Sequence, residues 1–194
     1  MGPLPRSTGP RRTASDHALS VAPNLLQRDF TASGPTQKWA GDFTHVWTRE
    51  CWVYFALIID LLSRRIVGWA IRNRIKRDLA LRALNMAIAI RRPPPACIHH
   101  TGRGSQYRAH NDQKLLRKQG VNISMSSKGN CSDNSAVENF FKSLKAELIW
   151  RRNWQTRREL ELALFEYING FYNSHRKHSA LGWKSAMAFE QRAI

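Results

Sequence analysis

Asp42 stands inside an otherwise apolar and aromatic stretch, Trp39 to Trp47, and Glu138 follows directly on an Asn/Ser-rich loop at the start of a helical pattern. A carboxylate inside such a strand is costly unless something pairs with it. Chemistry at phosphorus in nucleic acids can use two divalent cations about 3.5–4 Å apart, held by carboxylates in a polar cleft. Hard cations take oxygen ligands, so in a chain with only 14 acids the candidates are few. Each also has a plainer reading, a salt-bridged structural Asp and a solvated helix Glu, and composition does not choose between the readings. Glu138, Lys142 and Lys145 fall at i, i+4 and i+7, so they share one helix face. That face would set cations beside the carboxylate, where they suit phosphate contacts in a duplex; Lys128, in the polar loop before the helix, is a further such cation.

The elements that must position these residues follow from hydrophobic patterning. Trp39–Trp47 reads as a strand carrying Asp42, and Trp52–Ile59 is a continuous β-prone run of the kind buried on both faces. A polar turn at Asp60–Arg65, where Asp60 is expected to order the backbone beside Ser63, leads to a third strand, Arg65–Ile71. Asp78–Ile90 is helical in pattern and stops at Arg91-Arg92 before Pro93-Pro-Pro95. A short strand at Ala96–His99, a helix at Asn111–Gln119 closed by Gly120, and a brief strand at Val121–Ser124 come next. Helices follow at Asn134–Glu147, with Asp133 as cap, at Arg157–Tyr172, and near Ser185–Arg192. This order implies an α/β fold with a mixed five-stranded sheet flanked by helices. Residues 1–35, rich in Pro, Gly, Ser and Arg, read as a disordered basic arm before a core at 36–194.

The 31 Lys and Arg against 14 acids give a net charge of +17 and a pI near 10.9, which calls for a polyanionic partner. The longest apolar run ends at Asp60, far short of the ~20 residues that span a bilayer, so the partner is nucleic acid and not membrane. No secretory signal opens the chain, and Cys51, Cys97 and Cys131 form no C-x-x-C pair, which fits a reducing, cytoplasmic setting. His99-His100 and His175-x-x-His178 lack cysteine partners at zinc-ligand spacing.

Several motifs stand in one order: Trp39-Ala-Gly-Asp-Phe-Thr44, Asp60-Leu-Leu-Ser-Arg-Arg-Ile-Val-Gly-Trp69, His99-His-Thr-Gly-Arg-Gly-Ser-Gln-Tyr107, Asp133-Asn-Ser-Ala-Val-Glu138 and Arg176-Lys-His-Ser-Ala-Leu-Gly182. With Ser124–Cys131 and Phe171-Tyr-Asn173, the chain resembles, from about Asn24 to Phe189, the integrase core of bacterial insertion-sequence transposases of the IS-three family. The resemblance implies the RNase H-like fold of retroviral integrases and an Asp, Asp, Glu triad whose last two members are separated by 35 residues. Asp42 matches the first acid and Glu138 the third. The second falls on Gly102, with 35 residues between it and Glu138, in a loop that in the family reads His-Ser-Asp-Arg-Gly-Ser. Glycine has no side chain with which to bind a metal.

The resemblance therefore implies a core for DNA transposition and integration, cutting and joining strands with Mg²⁺ or Mn²⁺ held by Asp42 and Glu138, but weakened by the missing ligand. Lys128, Lys142 and Lys145 are implied as DNA contacts, with transposon ends and target DNA as partners alongside further copies of the chain or a companion transposase subunit. The setting implied is the cytoplasm of a bacterium, at the nucleoid. The alternative is a non-catalytic DNA-binding remnant, or a regulator of an intact transposase, since the helix-turn-helix segments that accompany such cores are not visible and the chain reads as truncated. Asp42 and Glu138 should face one cleft with Gly102 at its third corner. Duplex affinity should fall with salt by a log–log slope of roughly −0.9 per phosphate neutralised, and titrations of Lys142→Ala and Lys145→Ala should each flatten that slope by about one unit.

Overall fold

The computed structural model describes residues 22–74, 78–102, 116–126 and 134–192. Five strands form one sheet: β1 (Lys38–Trp47), β2 (Trp52–Asp60), β3 (Ile66–Arg72), β4 (Ile98–Thr101) and β5 (Asn122–Met125). Their order across it is β3-β2-β1-β4-β5. The first three strands are an antiparallel meander, whereas β4 joins β1, and β5 joins β4, in parallel. A parallel pair needs a long crossover, and α1 (Asp78–Arg91) supplies the one between β3 and β4. The helices α2 (Ser135–Glu147), α3 (Arg157–Phe165) and α4 (Ala186–Glu190) follow.

β2 is buried on both faces, as its unbroken apolar run requires. Phe55, Leu57 and Ile59 join Val137, Phe140, Leu144, Leu160 and Leu164 in a core beneath α2 and α3. On the other face Ala56 and Ile58 pack with Leu79, Ala83, Leu84 and Ala87 of α1. α1 lies so close that a Cβ on Gly68 would sit 2.1 Å from the Ala83 carbonyl oxygen, which is why β3 carries glycine there.

Most elements fall where the patterning puts them, and the departures have local causes. The short strand begins at Ile98, two residues later than Ala96, because Ala96 adopts a φ of 70° behind the proline run and the ladder to β1 opens at Lys38–Ile98. The expected helix Arg157–Tyr172 is α-helical only to Phe165 and continues as a π-helical turn, Glu166–Tyr172. Gly120, at φ 68°, closes the helical residues 116–118 as expected; the rest of that helix lies outside the described residues. Of the stretch read as a basic arm, residues 1–21 lie outside the described residues, but 22–35 differ from it. Leu26 is buried in the α2-side core, and the Leu25 amide donates to Ser124 Oγ at 2.9 Å.

The C-terminal segment is strapped to the sheet by polar contacts. Asp60 orders its turn as expected, accepting from the Leu62 and Ser63 amides at 3.1 Å each, and it also takes the Thr36 amide at 2.6 Å. Glu190 of α4 accepts from Ser63 Oγ and from Arg65, both at 2.7 Å, and from Arg91. Asn173 acts as a substitute strand on the free edge of β3: its Oδ1 accepts from the Ile66 amide at 2.8 Å and its Nδ2 donates to the Ile66 carbonyl at 3.0 Å. Asn173→Ala would leave a buried amide and carbonyl without partners, so chemical denaturation should show a loss of about 2–4 kcal/mol.

Candidate metal centre and nucleic-acid face

Alternation along β1 puts Ala40, Asp42, Thr44 and Val46 on the face that α2 covers, and Ala40 and Val46 belong to that core. Asp42 is paired in sequence register with Leu57 on one side. On the other side the parallel ladder runs Lys38–Ile98, Trp39–His99, Ala40–His100 and Gly41–Thr101, so Gly102 is the next residue along, at the level of Asp42. Gly41 makes room for a close approach, for a Cβ there would lie 3.0 Å from Nε2 of the buried His99 ring.

α2 enters this cleft by its N-terminus. Asn134, the residue before the helix, makes no side-chain capping bond; its amide donates instead to Asp42 Oδ2 at 3.2 Å. Asp42 Oδ1 accepts from the Phe43 amide at 2.8 Å. Glu138 lies one turn into α2, near enough that its charge acts on Asp42. Burial pushes the Asp42 carboxyl up to about 6, with the Glu138 charge adding to the rise and the Phe43 and Asn134 donors opposing it. A buried carboxylate with a second acid near enough to perturb it offers oxygen donors of the type a hard divalent cation takes. Among the described residues a Cβ at position 102 would meet nothing within 4 Å, and the Gly102 φ is outside the left-handed region, so the backbone there does not demand glycine.

Beyond Glu138 the same helix face carries Lys142, exposed, and Lys145, half-buried. With Thr44, Phe141 and Trp150 they line a cavity of about 580 Å³ that Glu138 also borders. The structure thus gathers Asp42, Glu138, Lys142 and Lys145 on one side of the sheet, with Gly102 at the level of Asp42. Lys128 and Asp133 lie outside the described residues. Asn134 and Thr44 are the site neighbours that sequence reasoning passed over. Thr44 could have been found from its spacing of two from Asp42; the Asn134 amide carries no sequence signal beyond its place before the helix. His99 and His100 are buried in β4. His100 bonds Ser124 and Ser126 through its two ring nitrogens, at 2.8 and 3.1 Å, and burial, followed by the neighbouring His100, pushes His99 down to about 3.

The five-stranded mixed sheet with helices on both faces is the RNase H-like fold. It superposes on a chain of the simian T-cell lymphotropic virus intasome in complex with PP2A regulatory subunit B56 gamma, with TM-score 0.65 and 17% identity over 93% of this chain and 61% of that one. It also superposes on the HTLV-2 integrase catalytic core domain in complex with magnesium, with TM-score 0.58 and 16% identity over 81% of this chain and 97% of that one. The integrase core domain family matches residues 32–131, and a second integrase core domain family matches 138–194. The transposase InsF for insertion sequence IS3A of Escherichia coli (strain K12) is 45% identical over 178 residues, 92% of this chain. An uncharacterized 31 kDa protein of insertion element IS600 from Shigella sonnei is 42% identical over 180 residues, 93% of this chain. The chain spans 62% of the first of these relatives and 66% of the second. It belongs to the integrase core family, and within it to the IS-three type of insertion-sequence transposase core.

The raised Asp42 carboxyl has a signed consequence for stability. Folded protein holds a proton on Asp42 up to about pH 6, whereas an unfolded Asp loses it near 3.8, so stability declines between those values and levels off above them. Denaturation free energies measured across that window should show a decline on the order of 3 kcal/mol that Asp42→Asn removes.

Proposed function

We propose that this chain is the DNA strand-transferase core of an IS-three type transposase, acting on transposon ends and target DNA at the nucleoid of a bacterial cell. In this reading Asp42 and Glu138 hold Mg²⁺ or Mn²⁺ and Lys142 and Lys145 grip substrate phosphates, with Lys128 as a further DNA contact. The observation that carries it is the convergence of β1 and α2, with Asn134 bonded to the Asp42 carboxylate and Glu138 near enough to perturb it. A divalent cation bound there would activate a water or 3′-hydroxyl and offset charge at the scissile phosphate. Asn134 and the Phe43 amide orient the Asp42 carboxylate, and the lysines of α2 set the duplex against the same cleft. The active unit is an assembly of this chain with further copies or a companion subunit.

Gly102 supports a second element of the reading, that this core binds DNA but cuts and joins it poorly. Its place beside Asp42 leaves one corner of the donor set without charge, and a water filling it brings none. A DNA-binding remnant or a regulator that competes with an intact transposase is the limiting case. Calorimetric Mg²⁺ titration and a strand-joining assay test both. Gly102→Asp should tighten Mg²⁺ by about ten- to a hundredfold, because affinity at such sites follows ligand charge, and should raise joining. Asp42→Asn in the same background should abolish both gains. Vigorous joining by the unaltered chain that survives Asp42→Asn would overturn the assignment.

A further inference from the structure

An open groove of about 740 Å³ runs between the β1–β2 turn and residues 149–154 and shares Lys145 and Trp150 with the cavity that Glu138 borders. Its described lining includes Arg49, Arg151 and Arg152 besides Lys145, and no carboxylate. It is also aromatic. Trp150 is 73% exposed and Trp47 is 53% exposed, large apolar surfaces that nothing among the described residues covers. The scaffold beneath them is firm. Trp47 packs edge-on against Trp52 at 5.1 Å, the Arg152 guanidinium lies 4.1 Å above the Trp154 ring, and the Arg49 amide donates to the Trp154 carbonyl at 2.9 Å.

Cations interleaved with exposed indoles match one kind of polyanion better than others. A paired duplex presents phosphates but hides its base faces, so it would use the arginines and leave the tryptophans wet. An unpaired strand offers both, phosphates to the cations and base faces to the rings, and stacking of this sort tolerates any sequence. We propose that this groove binds a stretch of unpaired DNA adjoining the reacting phosphate, with bases stacked on Trp150 and Trp47 and the backbone held by Arg49, Arg152 and Lys145. The inference rests on the reading of the cleft as a DNA strand-transferase site and adds to it the state of the substrate: an end that is frayed or carries a single-stranded extension. The groove's continuity with the Glu138 cavity sets the direction in which that strand leaves the site.

The full chain is titrated with two labelled probes, a blunt duplex and the same duplex bearing a single-stranded extension. The unaltered chain should prefer the extended probe and show quenched tryptophan emission on binding it. Trp150→Ala should weaken the extended probe by about tenfold while changing the blunt one less than about twofold, and Trp150→Phe should restore most of the loss. Arg49→Ala and Arg152→Ala should lower the salt slope for the extended probe. Equal binding of the two probes, or an extended-probe affinity indifferent to Trp150→Ala, would overturn this inference while duplex binding upheld the parent reading; a partner protein or second copy seated on the indoles would give that result. Failure of the unaltered chain to bind either probe would overturn the parent reading itself.

Discussion

β1 is hydrogen-bonded along both edges, antiparallel to β2 and parallel to β4, and that double register positions nearly everything else. Because the side-chain period of a strand is two, a slip of one residue would turn Asp42 to the α1 face and bring Phe43 under α2. Two apolar cores hold the register from opposite sides, one beneath α1 and the other beneath α2 and α3. With β1 fixed, the parallel ladder to β4 delivers residue 102 to the level of Asp42, although 59 positions separate them in sequence.

Holding a carboxylate at this place is unfavourable by itself. Burial and the Glu138 charge both disfavour the ionised Asp42, and among the described residues the Phe43 amide and the Asn134 side chain oppose them. Asn134 donates to Asp42 through its Nδ2 and makes no side-chain capping bond to α2. The remainder of α2 compensates. Val137, Phe140 and Leu144 are buried against the sheet, and Glu147 is bound by Arg176 at 2.7 Å and by the Tyr167 hydroxyl at 2.6 Å. The cost of burying the Asp42 carboxylate is thus offset by packing and ion pairing along the same helix.

The C-terminal third plays a part out of proportion to its modest helices. Asn173 completes the open edge of β3, and Glu190 gathers Ser63, Arg65 and Arg91 onto α4. The π-helical turn Glu166–Tyr172 ends just before Asn173, whose side chain meets Ile66. These contacts seal the sheet edge opposite β4 and β5 and leave the Asp42 cleft on the α2 side, where the lysines and the aromatic groove extend it.

Periodicity determined the elements: an apolar run long enough for a doubly covered β2, a helical stripe at Asp78–Arg91, and the i, i+4, i+7 face of Glu138, Lys142 and Lys145 are local properties that a linear chain displays. Motif order determined the kinship, and the interval to Glu138 picked out Gly102 as the position where the resemblance implies an acid. Tertiary structure alone decided what depends on distant residues meeting. Glu190, read from the sequence as one more residue of a last short helix, becomes the anchor of that helix because it meets Ser63 and two arginines. The segment at 22–35, polar and turn-rich enough to pass for a loose arm, is drawn in by burial of Leu26 and a bond to Ser124. Asn134 looks like an ordinary helix start until Asp42 is brought within reach of its amide. Trp47 and Trp150 are scattered aromatics in the chain and neighbours on one groove only in the fold. Sequence spacing records contacts within a strand or a helix, whereas a site assembled from β1, β4 and α2 exists only once the sheet has closed.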